Sequence, residues 1–98
     1  MIEIPLRAGD TNTHQRFSLR LEDNLLEFRI NYLSYLESPA WSMDILRDGT
    51  HLVAGAMLEP NAEVTRGYRA KIGRFFFIGD NVTLDNLGIN NKLVWTAA

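Results

Sequence analysis

Apolar side chains recur at every second position over much of the chain, and that period marks strands rather than helices. Phe17, Leu19 and Leu21 alternate with Ser18, Arg20 and Glu22. Leu26, Phe28, Ile30 and Tyr32 alternate with Glu27, Arg29 and Asn31. Asp23-Asn24 lies between the two runs, and both residue types tolerate the positive φ of a tight turn. A two-residue loop there predicts Leu21 opposite Leu26, Leu19 opposite Phe28 and Phe17 opposite Ile30. The other face then pairs Arg20 with Glu27 and Ser18 with Arg29. One face is wholly apolar and the other carries an opposite-charge pair, so a slip by one residue would spoil both.

A second hairpin follows. Trp41, Met43 and Ile45 alternate with Ser42 and Asp44, and Asp48-Gly49 is the dipeptide of a type I′ turn. Pairing across it sets Ile45 against Leu52, Met43 against Ala54 and Trp41 against Ala56, a large row facing a small one. Pro39 precedes this strand, where its missing N–H does least harm.

The remaining elements are shorter. Residues 33–38 break the alternation and read as a bulge and a connection. Residues 59–65, with Pro60 and Asn61, read as a loop. Tyr68, Ala70 and Ile72 alternate with Arg69 and Lys71, which predicts a strand ended by a bulge or corner at Gly73. The run Phe75-Phe76-Phe77-Ile78 reads as a strand apolar on both faces, with a turn at Gly79-Asp80-Asn81. Residues 83–88 are expected to form one helical turn, capped by Thr83 and stopped by Gly88. Leu93-Val94-Trp95 reads as a last short strand. Residues 2–7 read as a first strand, confined to an edge by Pro5. No window of about 12 residues carries a 3.6-residue stripe. The expected fold is all-β: one domain over residues 1–98, a small antiparallel β-sandwich or partly open β-barrel of six to seven strands. Its core is expected from Phe17, Leu19, Leu21, Phe28, Ile30, Trp41, Met43, Ile45 and Leu52, and its turns from Asp23, Asn24, Asp48 and Gly49.

Composition narrows the function classes. A chain of 98 residues can bury about 65% of its surface, enough for one core but not for separate cofactor and substrate lobes. A net charge of −2 points to no general affinity for polyanions. The lack of cysteine excludes disulfides, thiolate nucleophiles and cysteine-held zinc. The first residues carry no basic segment followed by an apolar run, so no signal peptide is expected. The longest uncharged apolar stretch, residues 52–58, falls far short of the roughly 20 residues of a membrane-spanning helix. A soluble product that tolerates a reducing compartment is expected.

Candidate chemistry is sparse. His14 and His51 have no companions at metal-ligand spacing. Ser18, Ser34, Ser38 and Ser42 lack a Gly-x-Ser-x-Gly context. Asp48 is explained by its turn and Asp44 by the outer face of its strand. Glycine spacing fits neither a Walker loop nor a dinucleotide fingerprint. No catalytic, metal or cofactor site is expected. One stretch is biased in charge: Arg66, Arg69, Lys71 and Arg74, with no acid between Val64 and Gly79. Beside Phe75, Phe76 and Phe77 it resembles in outline the basic, aromatic groove of a single-strand nucleic-acid binding barrel, the alternative reading here. A solvated strand face or a protein interface explains the same residues and fits the acidic net charge better. Eight arginines against two lysines also suit an interface. Four consecutive bulky apolar residues cannot all enter one core from one strand, so about half must meet another layer, another subunit or water. Arg66, Arg69, Lys71, Arg74, Phe75, Phe77, Tyr32 and Tyr35 are the candidate interface residues.

The order of these features resembles a known family. Trp41-Ser42-Met43-Asp44-Ile45 opens a strand, Asp48-Gly49 turns it, Leu52 and Gly55 lie on the return, and Leu87-Gly88 precedes Leu93-Val94-Trp95. That order, with the hairpin upstream, resembles the baseplate plug proteins of contractile-tailed bacteriophages over about residues 14–96. Two features depart from the family pattern: Trp95 stands where tyrosine is usual, and residues 81–83 lack the usual prolines. The resemblance implies a structural virion protein of the tail baseplate, a plug or hub near the end of the tail tube, assembled in the host bacterial cytoplasm. It implies hub, tail-tube and spike proteins as partners and several copies around a three- or six-fold axis. It implies no small-molecule substrate and no enzymatic activity; no cofactor and no membrane are expected from the residues, and nucleic acid is disfavoured as a partner.

Overall fold

The computed structural model describes residues 1–34, 36–68 and 72–97. It is the antiparallel sandwich that the alternation predicts, open rather than closed into a barrel. The strands are β1 (Ile2–Ile4), β2 (His14–Leu21), β3 (Asn24–Tyr32), β4 (Trp41–Arg47), β5 (Thr50–Met57), β6 (Ala62–Glu63), β7 (Arg74–Gly79) and β8 (Asn91–Thr96), with a 3-10 turn at Asp10–Asn12. One sheet has the order β2-β3-β4-β5, a meander of sequence neighbours. The other has the order β1-β8-β7-β6, so the first strand joins the last. The described strands number eight rather than six or seven, because Ala62–Glu63, expected as loop, adds a two-residue strand beside β7.

The first hairpin keeps its predicted faces but shifts its register by two residues. The turn is Glu22-Asp23, with Glu22 at φ 55, and Asn24 belongs to β3, paired with Leu21. Leu19 faces Leu26 and Phe17 faces Phe28. The strand period is two, so a two-residue shift leaves every side chain on its own side. Two contacts favour the observed register. Phe17 stacks on Phe28 with ring centroids 5.3 Å apart. The expected Arg20–Glu27 pair is replaced by Arg16–Glu27 at 3.2 Å; within β3 Arg29 also meets Glu27, at 2.6 Å.

The second hairpin turns where predicted, at Asp48 (φ 51) and Gly49 (φ 79). Arg47 faces Thr50 and Leu46 faces His51, as a two-residue loop requires. Farther from the turn β5 bulges, so Ile45 meets Val53 instead of Leu52, and Met43 meets Ala56 instead of Ala54. Gly55 supplies a left-handed corner at φ 69, and its N–H donates to Asp44 Oδ1 at 2.6 Å. The bulge brings Val53 into the core and leaves Leu52 half-buried at its border.

One apolar cluster fills the space between the sheets. Trp41, Phe28, Ile30, Met43 and Ile45 enter from one side; Phe75, Phe77 and Leu93 enter from the other, all fully buried. Leu21 is buried with them, while Phe17 and Leu19 pack half-buried against the cluster. The Phe28 and Phe75 rings meet edge to face across the layers at 5.8 Å. Both indoles are satisfied: Trp41 Nε1 donates to the Thr83 carbonyl at 2.9 Å and Trp95 Nε1 to the Ile72 carbonyl at 2.7 Å. Gly73, at φ 96, lies under Trp95; a Cβ there would overlap the indole and sit 2.7 Å from the Thr96 carbonyl oxygen.

Two expected elements differ. Residues 84–90 form successive turns, not a helix. Thr83 does not cap with its side chain; its N–H donates to Asn86 Oδ1 at 2.7 Å, and Asn86 Nδ2 donates to the Asn81 carbonyl at 2.8 Å. The asparagine side chains supply the bonds a helical turn would have made. Of the strand expected over 68–72, residues 69–71 lie outside the described residues, and Tyr68 and Ile72 belong to no strand. Among the described residues no helix is long and apolar enough to cross a membrane.

Candidate protein interface

Strand alternation divides the Phe75–Ile78 run between two sides of its sheet. Phe75 and Phe77, expected at an interface, are instead fully buried in the core. Phe76 and Ile78 are the pair that faces outward, Phe76 half-buried and Ile78 39% exposed. The strand's parity decides the matter: Phe75 pairs with Trp95 and Phe77 with Leu93, both inward residues of β8. Ile89, in the turns before β8, is 72% exposed and borders the same outer face with Ile78 and Lys92.

Arg74 is engaged at this face. The Arg74 guanidinium lies 5.2 Å from the centroid of the Phe76 ring and 3.3 Å from Glu63 Oε2. Arg66 is exposed, in the turn after β6, where its N–H donates to the Glu63 carbonyl at 3.2 Å. Arg69, Lys71 and Tyr35 lie outside the described residues. Tyr32 is half-buried and sits edge-on to Trp41 at 5.2 Å, far along the other sheet.

The outer face of the β2–β5 sheet is charged. Glu27 accepts from Arg29 Nε and lies close to Arg16. The Arg29 hydrogen bond, aided by the Arg29, Arg16 and His51 charges, holds its carboxyl below the usual carboxylate range. The two histidines stand on opposite edges of this sheet. His14 on β2 meets Asn31 Oδ1 at 2.8 Å, and His51 on β5 stands 3.8 Å from Asp44. Asp44 is also the acceptor that holds the β5 bulge. Among the described residues, no three His, Asp or Glu side chains gather as a metal would need.

Beside the start of β4 and the end of β5 lies a groove of about 590 Å³, with Leu36, Pro39, Met57, Pro60 and Val82 on its walls. Sequence reasoning missed it, because its walls come from three segments distant in the chain. The outward Phe76 and Ile78 were open to prediction from strand parity, once Phe75 was placed inside.

Among the described residues, the surface offers exposed Ile78 and Ile89 beside half-buried Phe76, the edge of β2, and the groove between Leu36, Met57 and Val82. The chain belongs to the baseplate plug family of phages: over residues 1–98 it matches the family described as the cyanophage baseplate Pam3 plug gp18. That family is a structural one, not an enzyme family. No curated protein matches the chain.

Proposed function

We propose that the protein is a structural component of a phage tail baseplate, a plug or hub protein near the end of the tail tube. It binds hub, tube or spike proteins, stands in several copies around a three- or six-fold axis, and performs no catalysis. It assembles in the host bacterial cytoplasm. The observation that carries this reading is the match to the plug family along the entire chain. The exposed Ile78 and Ile89 beside half-buried Phe76 support it, since an apolar sheet face is better covered than left in water. Arg66, Arg69, Lys71 and Arg74 remain proposed as interface residues.

The competing nucleic-acid reading is weakened by geometry. Two of the three phenylalanines that would stack bases are buried, and Arg74 is shared between Glu63 and Phe76. Cryo-electron microscopy of the phage particle should place the chain on the baseplate axis. A free monomer in infected cells, absent from the particle, would overturn the proposal.

A further inference from the structure

Two open sheets have four edge strands, and each edge is a template for a foreign strand unless something blunts it. Three of the four are blunted. β1 has three residues and runs into Pro5; β6 has two. β5 is long but bulged: Asp44 takes the Gly55 N–H, and the Tyr68 hydroxyl donates to the Ala54 carbonyl at 2.9 Å. Its inward residues Val53 and Ala56 are buried.

β2 differs on every count. Its eight residues pair with β3 without a register shift, and they include no proline, glycine or lysine. The Tyr32 N–H donates to the Thr13 carbonyl at 2.8 Å. Antiparallel alternation from that bond turns the odd-numbered backbone groups toward β3 and the N–H and C=O of Arg16, Ser18 and Arg20 toward the open edge. Gln15 ties the strand's start to Arg7. Beyond it, among the described residues, nothing bonds the backbone of Arg16, Ser18 or Arg20 from outside the ladder. The inward Phe17 and Leu19 are half-buried, whereas Leu26, Phe28 and Ile30 on the next strand are fully covered. The sandwich is unfinished along this edge.

Charge selects the occupant. The outward row of β2 is His14, Arg16, Ser18 and Arg20, without an acid. A second copy's β2, antiparallel and centred on Ser18, would set Arg16 against Arg20 twice, and no other antiparallel register of the two strands puts an acid opposite both arginines. We infer that the β2 edge receives an extended strand of a different protein, with carboxylates at its outward positions opposite Arg16 and Arg20 and apolar side chains inward over Phe17 and Leu19. This is strand addition, in which main-chain bonds give affinity and alternate side chains give specificity. It rests on the proposal that the protein works by binding other chains, and it names one place and one partner chemistry.

The test is a titration of the isotopically labelled full chain with a synthetic peptide of about ten residues, alternating valine and glutamate, long enough to span β2. The control peptide has the same composition in two blocks. The alternating peptide should move the amide resonances of residues 16–20 and slow exchange of the Arg16, Ser18 and Arg20 amides. The block peptide should bind at least about tenfold more weakly, as should the Arg16→Glu, Arg20→Glu double variant, whose β2–β3 amide pattern should show the fold retained even where the loss of the Arg16–Glu27 pair lowers its melting. Ser18→Pro removes one edge-facing N–H without touching the β2–β3 ladder, and should also weaken binding. Equal response to both peptides, or shifts centred on β5, would overturn the inference. Self-association through the β2 amides without peptide would overturn it too, by making a second copy the occupant. The measurement uses isolated protein, so a negative result leaves the position in the particle to be decided separately by microscopy.

Discussion

The two sheets face one core but are built from the chain in opposite ways. The β2–β5 sheet takes its strands in sequence order, each of seven to nine residues, and two of its three connections are two-residue turns. The β1-β8-β7-β6 sheet gathers strands of two to six residues from both ends of the chain and links them through long loops. The first is held by neighbours in sequence. The second is held by what lies beneath and beside it: Phe75 on Phe28, Trp95 over Gly73, and asparagine amides that close the loop before β8. Local pattern can specify a sheet by itself only when its strands are consecutive; otherwise the buried face of the partner sheet must complete the specification.

The sharpest way to break this comparison is to remove a ring from the locally built sheet. Trp41→Ala deletes a fully buried indole and its bond to Thr83, and should cost about 3–5 kcal/mol in denaturant unfolding. A loss below about 1 kcal/mol would mean that this sheet does not depend on the core it shares. The next contrast lies within β7. Phe75→Ala should cost about 3–5 kcal/mol. Phe76→Ala, on the outer side, should cost less than about 1 kcal/mol while weakening any assembly through that face. Equal costs would mean that the strand's parity is wrong. The smallest effect is electrostatic. Glu27 has its folded-state pKa lowered, chiefly by the Arg29 hydrogen bond. Its contribution is therefore present above the unfolded carboxyl's pKa and lost as pH falls through the folded one. Melting temperature measured against pH should drop through the acid range slightly less in Glu27→Gln than in the parent, and unchanged slopes would assign no role to the Arg16–Glu27–Arg29 cluster.

The same contrast explains what could be read from the residues alone. The alternation from Phe17 to Ile45 and the Asp48-Gly49 turn are local signals, and they predicted the strands and faces of the β2–β5 sheet. The register of the first hairpin escaped by two positions, because both alignments put the same residues inside; only cross-strand contacts, the stacking of Phe17 on Phe28 and the Arg16–Glu27 pair, distinguish them. The β5 bulge escaped because it depends on Asp44 reaching Gly55 across eleven residues. β1 was expected at an edge because of Pro5, but nothing near Ile2–Ile4 signals a partner at Leu93–Trp95. At the candidate interface, four apolar residues in a row announced two faces without saying which belonged to which. That depended on Leu93 and Trp95 already being inside.

Each indole N–H ends on a carbonyl outside the strands, Trp41 on Thr83 and Trp95 on Ile72. The two rings are thus natural fluorophores reporting on different loops. With one tryptophan replaced by phenylalanine at a time, the emission of the remaining ring follows its own loop, so loosening around residue 83 and loosening around residue 72 become separately visible without any added label.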